Sequence, residues 1–231
     1  MNSTPAARTR ILVWDAPTRV VHWLLAACFA GAYLTSESER LGDIHLLFGY
    51  TMLGLIAFRV AWGLMGTRYA RFRSFAFGAG SVMAYFRSLL TFAPKHYLGH
   101  NPAGSWAIYL ILGLGLLCGI TGYAIQADIG GELMEHLHEG VATGMLTLVV
   151  AHICGVLVSS AVHRENLVRS MISGYKTGRA AQGIRHARWP VAIAIAALVF
   201  GFWAGVIPAP GLSQPTVASR MMHLTDDVGA H

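Results

Sequence analysis

Five long apolar stretches restrict what this chain can fold into. They cover residues 18–36, 44–66, 104–126, 137–162 and 190–208. Each approaches the ~20 residues that an α-helix needs to cross the hydrocarbon core of a bilayer. The 231-residue chain is 55% hydrophobic and 12% charged, whereas soluble domains carry about 25% charged residues. We therefore predict an all-α integral membrane protein with five transmembrane helices.

The charged residues divide between the two sides of this predicted bundle. With a cytoplasmic amino terminus, all of the 17 Lys and Arg residues except Arg40 and Arg220 lie inside. All of the 11 acidic residues except Asp15 and Glu165 then lie outside. This positive-inside bias accounts for the net charge of +6 without a nucleic-acid partner. It predicts a multi-pass membrane protein with a cytoplasmic amino terminus and a carboxyl terminus on the outer side.

The remaining segments suggest how the chain is organised. Residues 67–100 interleave arginines with aromatic residues, which favours a cytoplasmic interfacial helix over a short sixth span. We divide the chain into a core of residues 1–175, with the first four spans, and residues 176–231. The second part holds a basic loop, the fifth span and an outer tail that begins at residue 208. A cleaved signal peptide is the alternative for the first stretch.

Four histidines lie within the predicted spans, where an ionisable residue is costly and a functional role is expected. His138 and His152 are 14 residues apart on one span, which is about 21 Å along a helix and nearly the same face. Two ligands placed in this way suit two haems stacked across the bilayer. The first span enters from inside and offers His22, while the second enters from outside and offers His45.

These directions predict two axial ligand pairs: His22 with His152 for an inner haem iron, and His45 with His138 for an outer one. Copper or zinc is the alternative for a set of imidazoles, but two ligands per site are too few for a closed zinc site. The sequence has no C-x-x-C-H motif, so the haems would be b-type. A haem-free transporter with a histidine proton relay is a further alternative.

Other polar residues are candidates for contacts with the cofactors. Arg59 lies at inner depth on the face of His45, and Arg19 precedes His22 by one turn. Either could pair with a haem propionate, or snorkel to the interface. His100 at the inner interface could contact a propionate or a quinone, as could His96, although ordinary interface histidines are an equal alternative.

Small residues follow three of the ligands by four positions and could admit a flat ring: Ala26, Gly49 and Ala142. Helix packing explains them equally well. His136 points to another face than His138 and is the weaker ligand candidate. No catalytic residue is predicted, because two histidines on each iron leave no coordination position for a substrate.

Several short motifs are specific as a set. They are Arg19-Val-Val-His22-Trp, His45-Leu-Leu-Phe-Gly49-Tyr, Gly99-His100-Asn101-Pro102, Thr121-Gly122, His138-Glu139 with His152, and Glu165-Asn166-Leu167. Over residues 12–175 the sequence resembles the prokaryotic cytochrome b561 family, which includes cytochrome b subunits of nickel-iron hydrogenases, formate dehydrogenases and thiosulfate reductases. The resemblance implies a four-helix core with two b haems, in which the four histidines occupy ligand positions.

The resemblance also implies a function in electron transport and a location in the bacterial inner membrane, where the outer carboxyl terminus would be periplasmic. We predict a respiratory-chain cytochrome that passes electrons between quinone, either ubiquinone or menaquinone, and an extracytoplasmic redox partner such as a c-type cytochrome. One alternative is a membrane-anchor cytochrome b subunit of a hydrogenase, dehydrogenase or reductase complex. Another is a superoxide:quinone oxidoreductase. The fifth span and the outer tail exceed the minimal family pattern and favour a docked partner.

Overall fold

The computed structural model describes residues 8–91, 95–209 and 211–212, and helices make up most of this part of the chain. The helices are α1 Ala16–Thr35, α2 Gly42–Met65, α3 Ala79–Leu90, α4 Pro102–Gln126, α5 Gly131–His163, α6 Leu167–Ser173 and α7 Trp189–Trp203. Two short strands, β1 Thr9–Leu12 and β2 Tyr175–Gly178, accompany them. Single 3-10 turns occur at Glu39–Leu41, Phe72–Ser74 and Ala180–Gln182.

Helices α1, α2, α4 and α5 form the body of the protein as two antiparallel hairpins. The strongest helix contacts join α1 to α2 and α4 to α5, and α2 packs on α4 between the hairpins. Glycines permit the close approach of α2 to α4, because Gly115 faces Ile56 and Gly119 faces Leu53. The buried core contains Val21, Cys28, Met52, Leu55, Met145, Ile195 and Val199.

Within the described residues, three segments are long and apolar enough to cross a membrane: Glu39–Met65, Pro102–Gln126 and Gly131–His163. Helices α1 and α7 form where the first and fifth spans are predicted. The 15 residues of α7 extend about 22 Å, less than a hydrocarbon core of about 30 Å. Helix α1 carries Thr18, Arg19 and His22 in its first turns, which lowers its mean hydropathy. A total of five spans therefore stays a prediction.

Helix α7 lies against α1 and runs in the same direction. The amide of Ala16, at the start of α1, donates to the carbonyl of Ala187 just before α7. At the other end of α7, the indole nitrogen of Trp203 donates to the Thr51 hydroxyl over 2.9 Å. The predicted outer tail lies outside the described residues from position 213 onwards.

Helix α3 forms within the segment that predicted an interfacial helix. Its 12 residues are too few to cross a bilayer, which removes the short sixth span as an alternative. Tyr85 points inward and is buried, while Met83 and Phe86 are exposed. The apolar exposed residues suit a membrane surface, and the location of α3 at that surface stays a prediction.

One end of the bundle is closed by a small sheet. Strand β1 pairs antiparallel with β2, with Thr9 opposite Gly178 and Leu12 opposite Tyr175. Ile11, Val13, Trp14 and Tyr69 form a buried cluster beneath it. We call this end, where α1 and α4 begin and α2 and α5 end, the basic end. The opposite end, which carries Glu37, Glu39, Asp128, Glu132 and Glu135, is the acidic end.

Candidate functional site

His45 and His138 face each other near the acidic end. Their ring centroids are 6.1 Å apart and their planes are inclined by 72°. Two metal–nitrogen bonds of about 2 Å each, together with the ring radii, give a centroid separation of about 6 Å for two axial ligands of one iron. The separation of these two rings therefore fits one iron between them.

Hydrogen bonds to the other ring nitrogen hold each of these histidines. The Nδ1 atom of His45 lies 2.8 Å from the carbonyl oxygen of Ala32. The Nδ1 atom of His138 lies 3.0 Å from the carbonyl oxygen of Cys118 and 3.1 Å from the Thr121 hydroxyl. Since a carbonyl only accepts, each Nδ1 carries the proton and donates it, which leaves Nε2 with a free lone pair. Metal-binding histidines are commonly held in this way.

Glycine residues shape the space around this pair. A Cβ atom at Gly122 would lie 3.1 Å from Cε1 of His138, so a side chain there would press on the ring. A Cβ atom at Gly49, one turn after His45, would meet no described atom within 4 Å. The structure therefore leaves open space at the position where the sequence suggested room for a flat ring.

His22 and His152 lie toward the basic end and are both partly buried. They are close enough to interact electrostatically. The Nδ1 atom of His22 is buried and has no hydrogen-bond partner in the described part of the chain. The structure thus brings these two histidines to the same end of the bundle, and their pairing on one iron stays a prediction.

Asp15 is the centre of the polar network at the basic end, and sequence reasoning assigned it no role. Its side chain is 1% exposed. Oδ1 accepts from the Thr18 amide over 2.9 Å, and Oδ2 accepts from the Trp62 indole over 3.0 Å and the Thr67 hydroxyl over 2.6 Å. The carboxylate therefore ties the start of α1 to the end of α2.

The predicted anion-binding arginines are buried beside this network with donors to spare. Arg59 is 7% exposed, lies 5.0 Å from the centroid of the Phe72 ring, and has a buried terminal nitrogen without a partner among the described residues. Arg19 donates to the Ile172 carbonyl over 2.6 Å, but its Nε has no partner there. The Nε of Arg71, the residue before Phe72, is also buried and has no hydrogen-bond partner among the described residues. Buried guanidinium donors without protein partners suit an anionic acceptor such as a carboxylate.

His100 lies between two aromatic rings at the same end. Its ring centroid is 4.6 Å from that of Trp14 and 4.4 Å from that of Phe75. Burial, reinforced by the nearby Arg59 guanidinium, lowers the pKa of His100 to about 3, so the imidazole is neutral at physiological pH. It also interacts electrostatically with His22 and His152. Its Nδ1 is buried without a partner in the described residues.

Sequence reasoning identified the histidines but missed most of the groups that hold them. The Cys118 carbonyl and the Thr121 hydroxyl lie one turn apart on α4, and the Thr121-Gly122 motif was the only signal in the sequence that pointed to this part of the helix. Trp14 and Asp15 stand just before α1 and are not among the site residues predicted from the sequence. His136 is exposed and contributes to neither histidine pair.

Comparison with known proteins identifies relatives of the same kind. The protein named probable Ni/Fe-hydrogenase B-type cytochrome subunit of Rhodobacter capsulatus is 26% identical over 221 aligned positions, which cover 74% of this chain and 82% of the relative. Its counterpart in Rhizobium leguminosarum bv. viciae is 25% identical, with coverage of 72% and 89%. The probable Ni/Fe-hydrogenase 1 B-type cytochrome subunit of Escherichia coli K12 is 22% identical, with coverage of 71% and 90%. No solved structure matches the chain.

The profile of one protein family matches most of the chain. The family is described as prokaryotic cytochrome b561, and the match covers residues 13–174. This range contains both histidine pairs, the buried arginines and His100. The resemblance stated from the sequence motifs is confirmed, and the family implies b-type haem. The chain belongs to the prokaryotic cytochrome b561 family of membrane cytochromes.

Proposed function

We propose that this cytochrome transfers electrons between the membrane quinone pool and an extracytoplasmic redox partner, such as a c-type cytochrome. Two b haems would be held by His45 with His138 and by His22 with His152. Bound haem b supplies one-electron redox chemistry. The observation that carries the proposal is the 6.1 Å separation of the His45 and His138 rings, with both Nδ1 atoms donating to carbonyl oxygens.

The second haem rests on different support. His152 lies 14 residues after His138 on α5, a distance of about 21 Å along the helix and nearly the same face. Arg19, Arg59 and Arg71 have buried donors at this end that no described residue pairs with. The two propionates of a haem would supply the anionic acceptors that these donors lack. We therefore assign Arg19, Arg59 and His100 to the inner haem or quinone, and add Arg71.

The residues of the chain position and insulate the cofactors in this proposal. Main-chain carbonyls fix the imidazole planes of the outer pair. At the basic end the arginines would neutralise the two propionates of a bound haem, and the rings of Trp14 and Phe75 cover His100. Two histidines per iron leave no coordination position for oxygen, so the residues favour electron transfer over catalysis at iron.

Spectroscopy on the purified protein tests the proposal. We expect a reduced-minus-oxidised spectrum with a b-type alpha band, a haem-to-protein ratio of two, and reoxidation of the reduced haems by a short-chain ubiquinone. A ratio of one would contradict the two-haem assignment. A reduced protein that ferricyanide reoxidises, but that no quinone reoxidises, would contradict the quinone half of the function.

A subunit role in a hydrogenase complex is the second candidate function. The names of the relatives from Rhodobacter capsulatus and Escherichia coli favour it. In that case the haems would receive electrons from an attached enzyme rather than from a mobile cytochrome. Affinity purification of the full chain from its native membranes in mild detergent distinguishes the two candidate functions. A co-purified hydrogenase would favour the subunit role, and a c-type cytochrome would favour the first candidate.

A further inference from the structure

A second polar cluster lies at the basic end, apart from the histidine pairs. It surrounds a small pocket with space for about two water molecules. The polar lining consists of His96, Tyr97, Asn101, His163, Glu165 and Lys176. Most of these side chains can carry or exchange a proton, and Asn101 directly follows the buried His100.

Glu165 is the centre of this cluster. Its Oε2 lies 3.4 Å from Nε2 of His96 and 3.1 Å from Nζ of Lys176. The His96 side chain is 43% exposed, that of Glu165 22% and that of Lys176 2%. The three groups therefore lead from the protein surface to its interior.

A second branch continues along α5 from the same pocket. The His163 ring lies 5.5 Å from the His96 ring, and its Nε2 is 3.5 Å from the Tyr85 hydroxyl. That hydroxyl is 3.2 Å from Oγ of Ser159, and both Tyr85 and Ser159 are buried. Ser159 lies two turns from His152 on nearly the same face of α5, about 10 Å along the axis.

A purely structural ion pair would require only Glu165 and Lys176. Burial lowers the pKa of Lys176, and the neighbouring Glu165 carboxylate opposes this shift. Lys176 also donates to the Leu98 carbonyl over 3.2 Å and interacts electrostatically with His100. The two histidines, the buried tyrosine and the space for water are not needed to satisfy that pair, whereas together they line up groups that can carry protons around one pocket.

We propose that this pocket is the route by which protons pass between the aqueous phase at the basic end and the quinone. The proposal rests on the quinone reaction given above as the proposed function. A quinone that accepts two electrons through the haems from the reduced partner protein also takes up two protons, one on each carbonyl oxygen, and becomes quinol. Glu165 and His96 collect these protons, and Lys176 with the His163–Tyr85–Ser159 branch carries them inward. Quinol oxidation sends the same protons outward.

The test compares two oxidants of the pre-reduced, full-length cytochrome in a stopped-flow experiment. Ferricyanide takes an electron without a proton, whereas a short-chain ubiquinone needs both. For Glu165→Gln and His96→Gln we expect haem reoxidation by ubiquinone to slow by about tenfold or more, with an enlarged solvent deuterium isotope effect. Reoxidation by ferricyanide should not change. Proton uptake from the medium, followed with a pH-indicator dye, should slow in parallel with the quinone reaction.

Glu132→Gln is the matched control, since it removes an exposed carboxylate at the opposite end of α5. If Glu165→Gln loses haem, the His96→Gln variant alone tests the proton route. Because the His96 side chain is 43% exposed, its replacement should leave the fold intact. Variants that match the wild type with ubiquinone would overturn the proton route and leave the proposed function intact. A wild type that ferricyanide reoxidises but ubiquinone does not would overturn both.

Discussion

The two histidine pairs differ in what holds them. At the acidic end, His45 and His138 are fixed by hydrogen bonds to main-chain carbonyls, and their rings stand 6.1 Å apart. At the basic end, Nδ1 of His22 has no partner among the described residues, and the surroundings are buried arginines with unpaired donors.

This difference indicates two ways of building a cofactor site. Main-chain carbonyls are held by their own helices, so the outer pair keeps its geometry whatever is bound between the rings. The inner end carries excess positive charge, which is costly to bury without an anion. We therefore expect the outer pair to be sensitive to helix spacing, and the inner pair to be sensitive to charge.

The largest expected effect comes from removing ligands, and it tests the pairing itself. His138→Ala and His152→Ala should each lower the haem-to-protein ratio from two to one, because an iron with one imidazole binds weakly. The double variant His45→Ala/His138→Ala should still hold one haem, whereas His45→Ala/His152→Ala should hold none. Pyridine haemochrome assays measure these ratios. The exposed His136→Ala is the control, and a His45→Ala/His152→Ala protein that retains one haem would contradict the pairing.

Helix spacing should matter at the acidic end. Gly122→Ala would place a methyl group 3.1 Å from the His138 ring. Overpacking of this kind typically lowers the stability of a protein by about 1–3 kcal/mol. We expect most of the outer haem to be lost, with the inner haem retained. Gly113→Ala on the same helix meets no described atom within 4 Å and is the matched control. Full haem content in Gly122→Ala would show that His138 has freedom to move.

Charge should matter at the basic end. Arg59→Gln removes a buried cation that favours the reduced form of a nearby haem, so the reduction potential of the inner haem should fall. The size is on the order of 100 mV, since a unit charge at a few Å contributes a few kcal/mol at an effective dielectric constant of about 20. Potentiometric titration measures it. The exposed Arg68→Gln should change little, and a fall confined to the outer haem would reverse our assignment of ends.

The smallest effect on haem binding is expected at Thr121, because the Nδ1–H group of His138 has a second acceptor in the Cys118 carbonyl. Thr121→Val removes the hydroxyl near Nδ1 of His138 but keeps the Cys118 carbonyl as acceptor. The affinity for the outer haem should fall by less than about tenfold, the low end for a lost supporting hydrogen bond. Haem transfer to apomyoglobin measures this loss. Thr147→Val, whose hydroxyl donates to the Thr143 carbonyl, serves for comparison.

The sequence allowed the helices and the candidate ligands to be predicted because both follow from local patterns. Apolar stretches identified α2, α4 and α5, and the spacing of His138 and His152 defined a common face. The same patterns overestimated α7, because the apolar stretch continues beyond Trp203 while the helix ends there. They also passed over Asp15, because a lone acid before a helix gives no sign that an indole 47 residues later will donate to it.

By itself, the sequence determined the membrane helices, the separation of charge between the two ends, and which histidines share a helix face. These properties depend on the helical repeat and on hydropathy, which neighbouring residues specify. Only the tertiary structure decided the 6.1 Å distance between the rings of His45 and His138, the contacts of Trp14 and Phe75 with the ring of His100, and the pairing of β1 with β2. Those features join residues that are far apart in the chain, and their distances depend on how every helix between them packs.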